Sequence, residues 1–190
     1  KANPTVNTTY SVKVDDGYSI VSSQVAVTVV ALPAIPTITV SGPITFCSGG
    51  NVTLTSSTGT GYLWSTGATT ASINVNTTGS YTVRISDASV CLSAASVPAI
   101  VTVTALPVSP TITAVGPTTF CGGGSVTLTS SAGTSYLWST GATTSSINVS
   151  GPGGYTVKVS NANGCQSSAS EATIVTVTAL PDTRNGMSHD

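Results

Sequence analysis

The sequence predicts an all-β chain built from tandem two-sheet sandwiches. Three observations carry that prediction: a block of 74 residues that returns almost whole, a hydrophobic period of two inside it, and one pair of cysteines in each copy. The repeat sets the domain boundaries.

The tripeptide ALP stands at 31–33, 105–107 and 179–181. Residues 31–104 align with 105–178 without a gap, and 50 of the 74 positions are identical. Solenoid repeats run to about 20–45 residues, so a block of this size reads as a small domain. The expected organisation is domains at 37–104 and 111–178, linkers at 31–36 and 105–110, and a tail at 179–190. The linkers ALPAIP and ALPVSP carry prolines, which fix φ and remove a donor, and so should be extended and fairly stiff. Residues 1–30 resemble the end of such a block. NTTYSVKVDDG matches NTTGSYTVRISD at 76–87, and VAVTVVALP matches AIVTVTALP at 99–107. They are expected to be the last strands of a preceding domain, completed by the same array or by another segment, because two strands alone bury no core.

Within a block the strands follow from period-two alternation. TITV (37–40) is a short first strand. VTLTS (52–56) puts Val52 and Leu54 on one face. YLWS (62–65) and SINV (72–75) follow. YTVRIS (81–86) turns Tyr81, Val83 and Ile85 inward and Thr82, Arg84 and Ser86 outward, and IVTVT (100–104) closes the set through Val101 and Val103. Clusters of Gly, Asn, Ser and Thr separate them: CSGGN, SSTGTG, STGATT and NTTGS. Six or seven short strands with turns every 8–12 residues describe a β-sandwich.

Composition fits that class. Hydrophobic residues make up 39% of the chain and charged residues only 6%, against about 25% charged in ordinary domains. The polar face is supplied instead by 34 Thr and 29 Ser. A net charge of −1 without a basic patch makes nucleic acid and anionic membrane poor partners. No apolar run is long enough to cross a bilayer as a helix.

Cys47 and Cys91 are 44 residues apart, as are Cys121 and Cys165. One pair per block predicts intradomain disulfides Cys47–Cys91 and Cys121–Cys165, formed in an oxidising compartment. Each would stabilise its domain by about 4 kcal/mol on the chain-entropy model. Free buried thiols are the alternative reading. Zinc is not supported, since two thiols and no histidine in a block leave a tetrahedral site half filled.

The order Cys, Trp, Cys is immunoglobulin-like, although Cys91 comes ten residues after Tyr81 rather than two. With FC, GG and VTLT, then YLWSTGATT, YTV and a second Cys before S-AS, the blocks resemble bacterial immunoglobulin-like domains, similar in look to PKD modules. Such domains form tandem arrays in large secreted and cell-surface proteins of Bacteroidota. The resemblance implies extracellular or cell-surface placement. It also implies a role as adhesin, stalk or filament, or as spacer or carbohydrate-binding modules of a secreted hydrolase.

No catalytic constellation can be assembled from a complete block. The second has one acid, Glu171, and one base, Lys158; the first has Asp87 and Arg84, and the single histidine, His189, is in the tail. No enzyme activity and no cofactor are expected. Asp15 and Asp16 are weak candidates for a cation, with a turn as the simpler reading. Tyr62 and Trp64, with Tyr136 and Trp138, share a face and are candidates for stacking on sugar rings; the competing reading puts the tryptophans in the core. Arg84 and Lys158 read as outward strand positions that favour solubility. Asn7, Asn51, Asn76 and Asn148 lie in glycosylation sequons. Expected partners are neighbouring repeats or other copies of the chain, and surface glycans. Expected function is a non-catalytic structural segment giving length, stiffness and lateral self-assembly.

Overall fold

The computed structural model describes residues 1–180, and every described element is a β-strand. The tail from 181 onward, with His189, lies outside them. Two compact units are present. Of the described residues, one holds 1–44 and 51–101, the other 45–50 and 102–180.

In the first unit, β1 (Thr8–Asp15) and β2 (Ile20–Val27) form an antiparallel hairpin. Tyr10, Val12 and Val14 oppose Val25, Ser23 and Val21, so one face is apolar. Val12, Val14 and Val25 on it are exposed. Then β3 (Ile38–Val40), β5 (Val52–Ser56) and β7 (Ser72–Val75) make one antiparallel sheet. β6 (Gly61–Trp64) pairs with β9 (Val83–Ser86), and β8 (Gly79–Tyr81) pairs with the first half of β10 (Ala99–Thr104). Val52, Leu54 and Val75 from the three-stranded sheet are buried together with Trp64, Tyr81, Val83, Ile85 and Val101 from the strands opposite. The alternation read from the sequence is the physical cause: inward positions are branched aliphatics or aromatics, and the outward positions Arg84 and Leu63 are exposed.

The second unit repeats these pairings in the same register. β11 (Ile112–Val115), β13 (Val126–Ser130) and β15 (Ser146–Val149) form one sheet. The other side has β14 (Ser135–Trp138) on β17 (Val157–Ser160), and β12 (Thr119–Cys121) and β16 (Gly153–Tyr155) flanking β18 (Thr173–Thr178). Val126, Leu128, Trp138, Ile147, Val149, Val157 and Val175 form its core, with Phe120, Tyr136 and Tyr155 packed against it. This is an immunoglobulin-like β-sandwich. The unit also takes in β4 (Thr45–Cys47), a three-residue strand of the first repeat that pairs in parallel with Thr102–Thr104 of β10.

The expected disulfides are not formed. The disulfide joins Cys47 to Cys165, with Cα atoms 5.5 Å apart and a sequence separation of 118, while Cys91 and Cys121 are free. Strand direction explains the difference. Cys121 is level with Thr178, three residues beyond Val175 on β18; Gly153 is level with Val175, and its segment runs the opposite way for seven residues to Ser160 before reaching Cys165. At about 3.3 Å per residue the two cysteines of one repeat stand about 30 Å apart along the strands. A disulfide spans Cα atoms about 4.4–6.8 Å apart. The first repeat has the same registers.

Candidate functional site

The residues with distinctive chemistry are the cysteines, and their setting is built by two local structures. The first is the end of β4. Phe46 and Cys47 lie beside Val103 and Thr104, and the Ser48 amide donates to the Thr104 carbonyl at 2.8 Å. Gly50 closes the turn by donating to the Cys47 carbonyl, and a Cβ there would come within 3.1 Å of the Phe46 ring. The second is the loop after β17. The Asn161 carboxamide oxygen accepts from the amides of Asn163 and Cys165, each at 3.0 Å, and Gly164 takes φ 78°. The Asn161 Nδ2 donates to the Ala105 carbonyl at 3.2 Å. Since β10 ends at Thr104, that bond draws the Cys165 loop to the residue following Thr104, beside which Cys47 sits.

The free cysteines occupy the matching places in the opposite repeats. Cys121 ends β12 beside Thr178, whose hydroxyl donates to its sulfur at 3.7 Å, and it is exposed. Cys91 is half-buried in a loop where Asp87 replaces Asn161, its carboxylate accepting from the amides of Ser89 and Cys91 at 2.9 and 3.0 Å. Here Val90 stands where the second repeat has Gly164, and it is held at φ 62°. A β-branched residue in that region is strained.

Of the two readings of the tryptophans, stacking or core, burial goes with the core. Trp64 and Trp138 are each 2% exposed, and their indole N–H groups donate to the carbonyls of Thr70 and Thr144 at 2.8 Å. A ring closed off in the core presents no face to a sugar. Tyr62 and Tyr136 are half-buried, and their hydroxyls accept from the amides of Gly59 and Gly133 at 3.2 Å. Those glycines are required by close approach: a Cβ on Gly133 would sit 2.7 Å from the Val159 side chain. After Trp64 the chain turns through Gly67 at φ 85°, closed by its amide on the Trp64 carbonyl.

Asp15 and Asp16 shape the β1–β2 turn. Asp15 accepts from the Gly17 amide at 2.9 Å, and Asp16 from the amides of Tyr18 and Ser19 at 2.9 and 2.7 Å. The amide bonds, Ser19 first, hold the Asp16 carboxyl below the usual carboxylate range. Among the described residues no group of three or more His, Cys, Asp or Glu is placed to hold a metal ion.

The S-AS segment, read from the sequence only as a mark of resemblance, holds in its two copies four serines with a structural role. Ser93, Ser96, Ser167 and Ser170 are buried, and their hydroxyls accept from the amides of Ile85, Val83, Val159 and Val157 at 3.0–3.1 Å. Their own amides donate to the carbonyls of the same four residues. The S-x-x-S segment thus satisfies the outer edge of β9 or β17 without forming a strand. The only available signal is its recurrence at both 93–96 and 167–170.

The grooves have little chemistry. One of about 360 Å³ in the second unit is lined by Pro107, Val108, Gly133, Val159 and Asn161 among others, and one of about 460 Å³ in the first by Pro36, Ile38, Ile44, Val97 and Pro98 among others. Neither has a charged side chain in its lining. No described helix is long and apolar enough to cross a membrane.

No family model matches the chain, and no curated protein matches it. Among solved structures it is similar to the human OSCAR ligand-binding domain at 14% identity, covering 76% of this chain and 100% of that one, with a TM-score of 0.33.

Proposed function

We propose that the chain is a non-catalytic structural segment of a long extracellular protein of the adhesin, stalk or filament kind, supplying length and stiffness. The observation that carries this reading is the Cys47–Cys165 bond, which joins a residue of the first sequence repeat to one of the second, both cysteines lying in the second compact unit. A disulfide is at home in an oxidising environment, in keeping with secretion. Stiffness is a property such a tie supplies and an enzyme does not require. The Ser- and Thr-rich exterior, with few like charges to repel neighbours, favours lateral packing of copies. The carbohydrate-binding alternative loses its strongest feature with the burial of Trp64 and Trp138.

Small-angle scattering of the oxidised and reduced chain tests the proposal. Reduction should broaden the distribution of particle dimensions while circular dichroism holds the strand content constant. Identical profiles in both states, with the bond verified in one and absent in the other, would remove stiffness as the purpose of the bond. Electron microscopy at high concentration tests lateral packing, and isolated particles with no regular spacing would refute it.

A further inference from the structure

The bonded pair and the free pair are the same two positions seen one repeat apart. Cys47 and Cys121 both end the short strand paired in parallel with the last strand of their repeat, level with Thr104 and Thr178. Cys91 and Cys165 both lie four residues after the Asp87 or Asn161 that caps their loop. The observed bond therefore joins a strand-end cysteine to the loop cysteine of the following repeat. Its separation of 118 residues is the 44 between cysteines within a repeat added to the period of 74.

We infer that this is one rung of a series: Cys121 is built to bond the loop cysteine of a repeat that follows, and Cys91 the strand-end cysteine of a repeat that precedes. Each free thiol has a counterpart in the other repeat that already makes this bond. The partner is an immunoglobulin-like repeat of this sequence type, presenting Cys in an Asp- or Asn-capped loop. The inference rests on the array reading of the protein.

The chemistry is a two-electron oxidation. The two thiols lose two protons and two electrons as the S–S bond forms, and a disulfide oxidant such as oxidised glutathione takes them up and leaves as two thiols. Cys121 is exposed and free to react.

The test extends the chain by one more copy of residues 105–178, inserted directly after Thr178, and folds it in a glutathione redox buffer. Thiols are blocked, and the protein is digested with trypsin without reduction. Cleavage after Lys158 and after the copied lysine places the four cysteines expected to bond on four separable peptides, and fragmentation of residues 85–158 by mass spectrometry tells Cys121 from Cys91. The expected map has two linked pairs: residues 14–84 with the peptide bearing Cys165, and residues 85–158, through Cys121, with the peptide bearing the copy of Cys165. Two thiols per chain, Cys91 and the copy of Cys121, should take the label. Circular dichroism and calorimetry report separately on whether the added copy folds. If it folds while Cys121 still takes the label, or if Cys121 bonds within its own repeat, the inference is overturned and the array reading survives. If the added copy does not fold, both fall.

Discussion

Replacing Trp138 with alanine should unfold the second unit. The side chain is 2% exposed and sits in a core of six other buried residues. Burial of a tryptophan removes about 150–250 Å² from water, worth about 4–6 kcal/mol at 25 cal/mol/Å², and measured aromatic-to-alanine losses run to about 3–5 kcal/mol. The Thr144 carbonyl would also lose its indole donor at 2.8 Å, adding about 1 kcal/mol. A sandwich of this size holds only about 3–5 kcal/mol from its core, so the loss equals the reserve. Calorimetry should show the disappearance of about 50 kcal/mol of unfolding enthalpy, the share of one repeat at about 0.7 kcal/mol per residue. The chain has two tryptophans, so the fluorescence of the variant comes from Trp64 alone and should keep its buried emission. Trp138→Phe, which keeps most of the apolar volume, should retain a weakened transition. Full retention of both transitions in Trp138→Ala, within about 1 kcal/mol, would refute the core assignment, and loss of polysaccharide retention in that folded variant would establish the stacking role instead.

The remaining predictions concern bonds and local strain. Tryptic digestion of the unreduced chain should yield residues 14–84 linked to 159–184, with 85–158 separate and carrying two thiols; all three peptides in one species would restore the intradomain pairing. Ser167→Ala removes the acceptor of the Val159 amide and should cost about 1–3 kcal/mol in urea unfolding. Ser130→Ala deletes a buried hydroxyl that has no partner and should be neutral or stabilising by up to about 1 kcal/mol. An equal loss in both serine variants would contradict this account. Val90→Gly should relieve the positive φ and raise the stability of the first unit by about 1 kcal/mol, with Gly164→Val lowering that of the second; thermal midpoints that move the other way would reject it.

The strands with clear alternation were legible in the sequence because their inward residues do the burying. VTLTS, SINV, YLW and the two halves of YTVRIS all lie where period two puts them. The strand Thr45–Cys47 was not legible. Three residues show no period, and this strand exists only because residues 102–104 lie parallel to it, more than fifty positions later. The cysteine pairing failed for a related reason. A spacing of 44 says that the repeats are alike, and the same positions serve a bond within a repeat or between repeats; strand direction decides, and spacing does not contain it. The four accepting serines were hidden in a chain where serine is common, since only a backbone left without a partner makes one hydroxyl different from another.

The 118-residue reach of the disulfide also sets a timetable for biosynthesis. Cys47 emerges first, and Cys91 and Cys121 both emerge before its proper partner. At about 5–20 residues per second, Cys47 waits about 6–24 seconds for Cys165 with two unsuitable thiols already present. Small β-sandwiches fold in milliseconds to seconds, fast enough for strand pairing in the first repeat to precede that arrival. Fidelity therefore depends on folding outrunning oxidation: a cell that oxidises this chain too early would trap the neighbouring cysteines, and one that delays oxidant until the repeats have folded obtains the long-range bond.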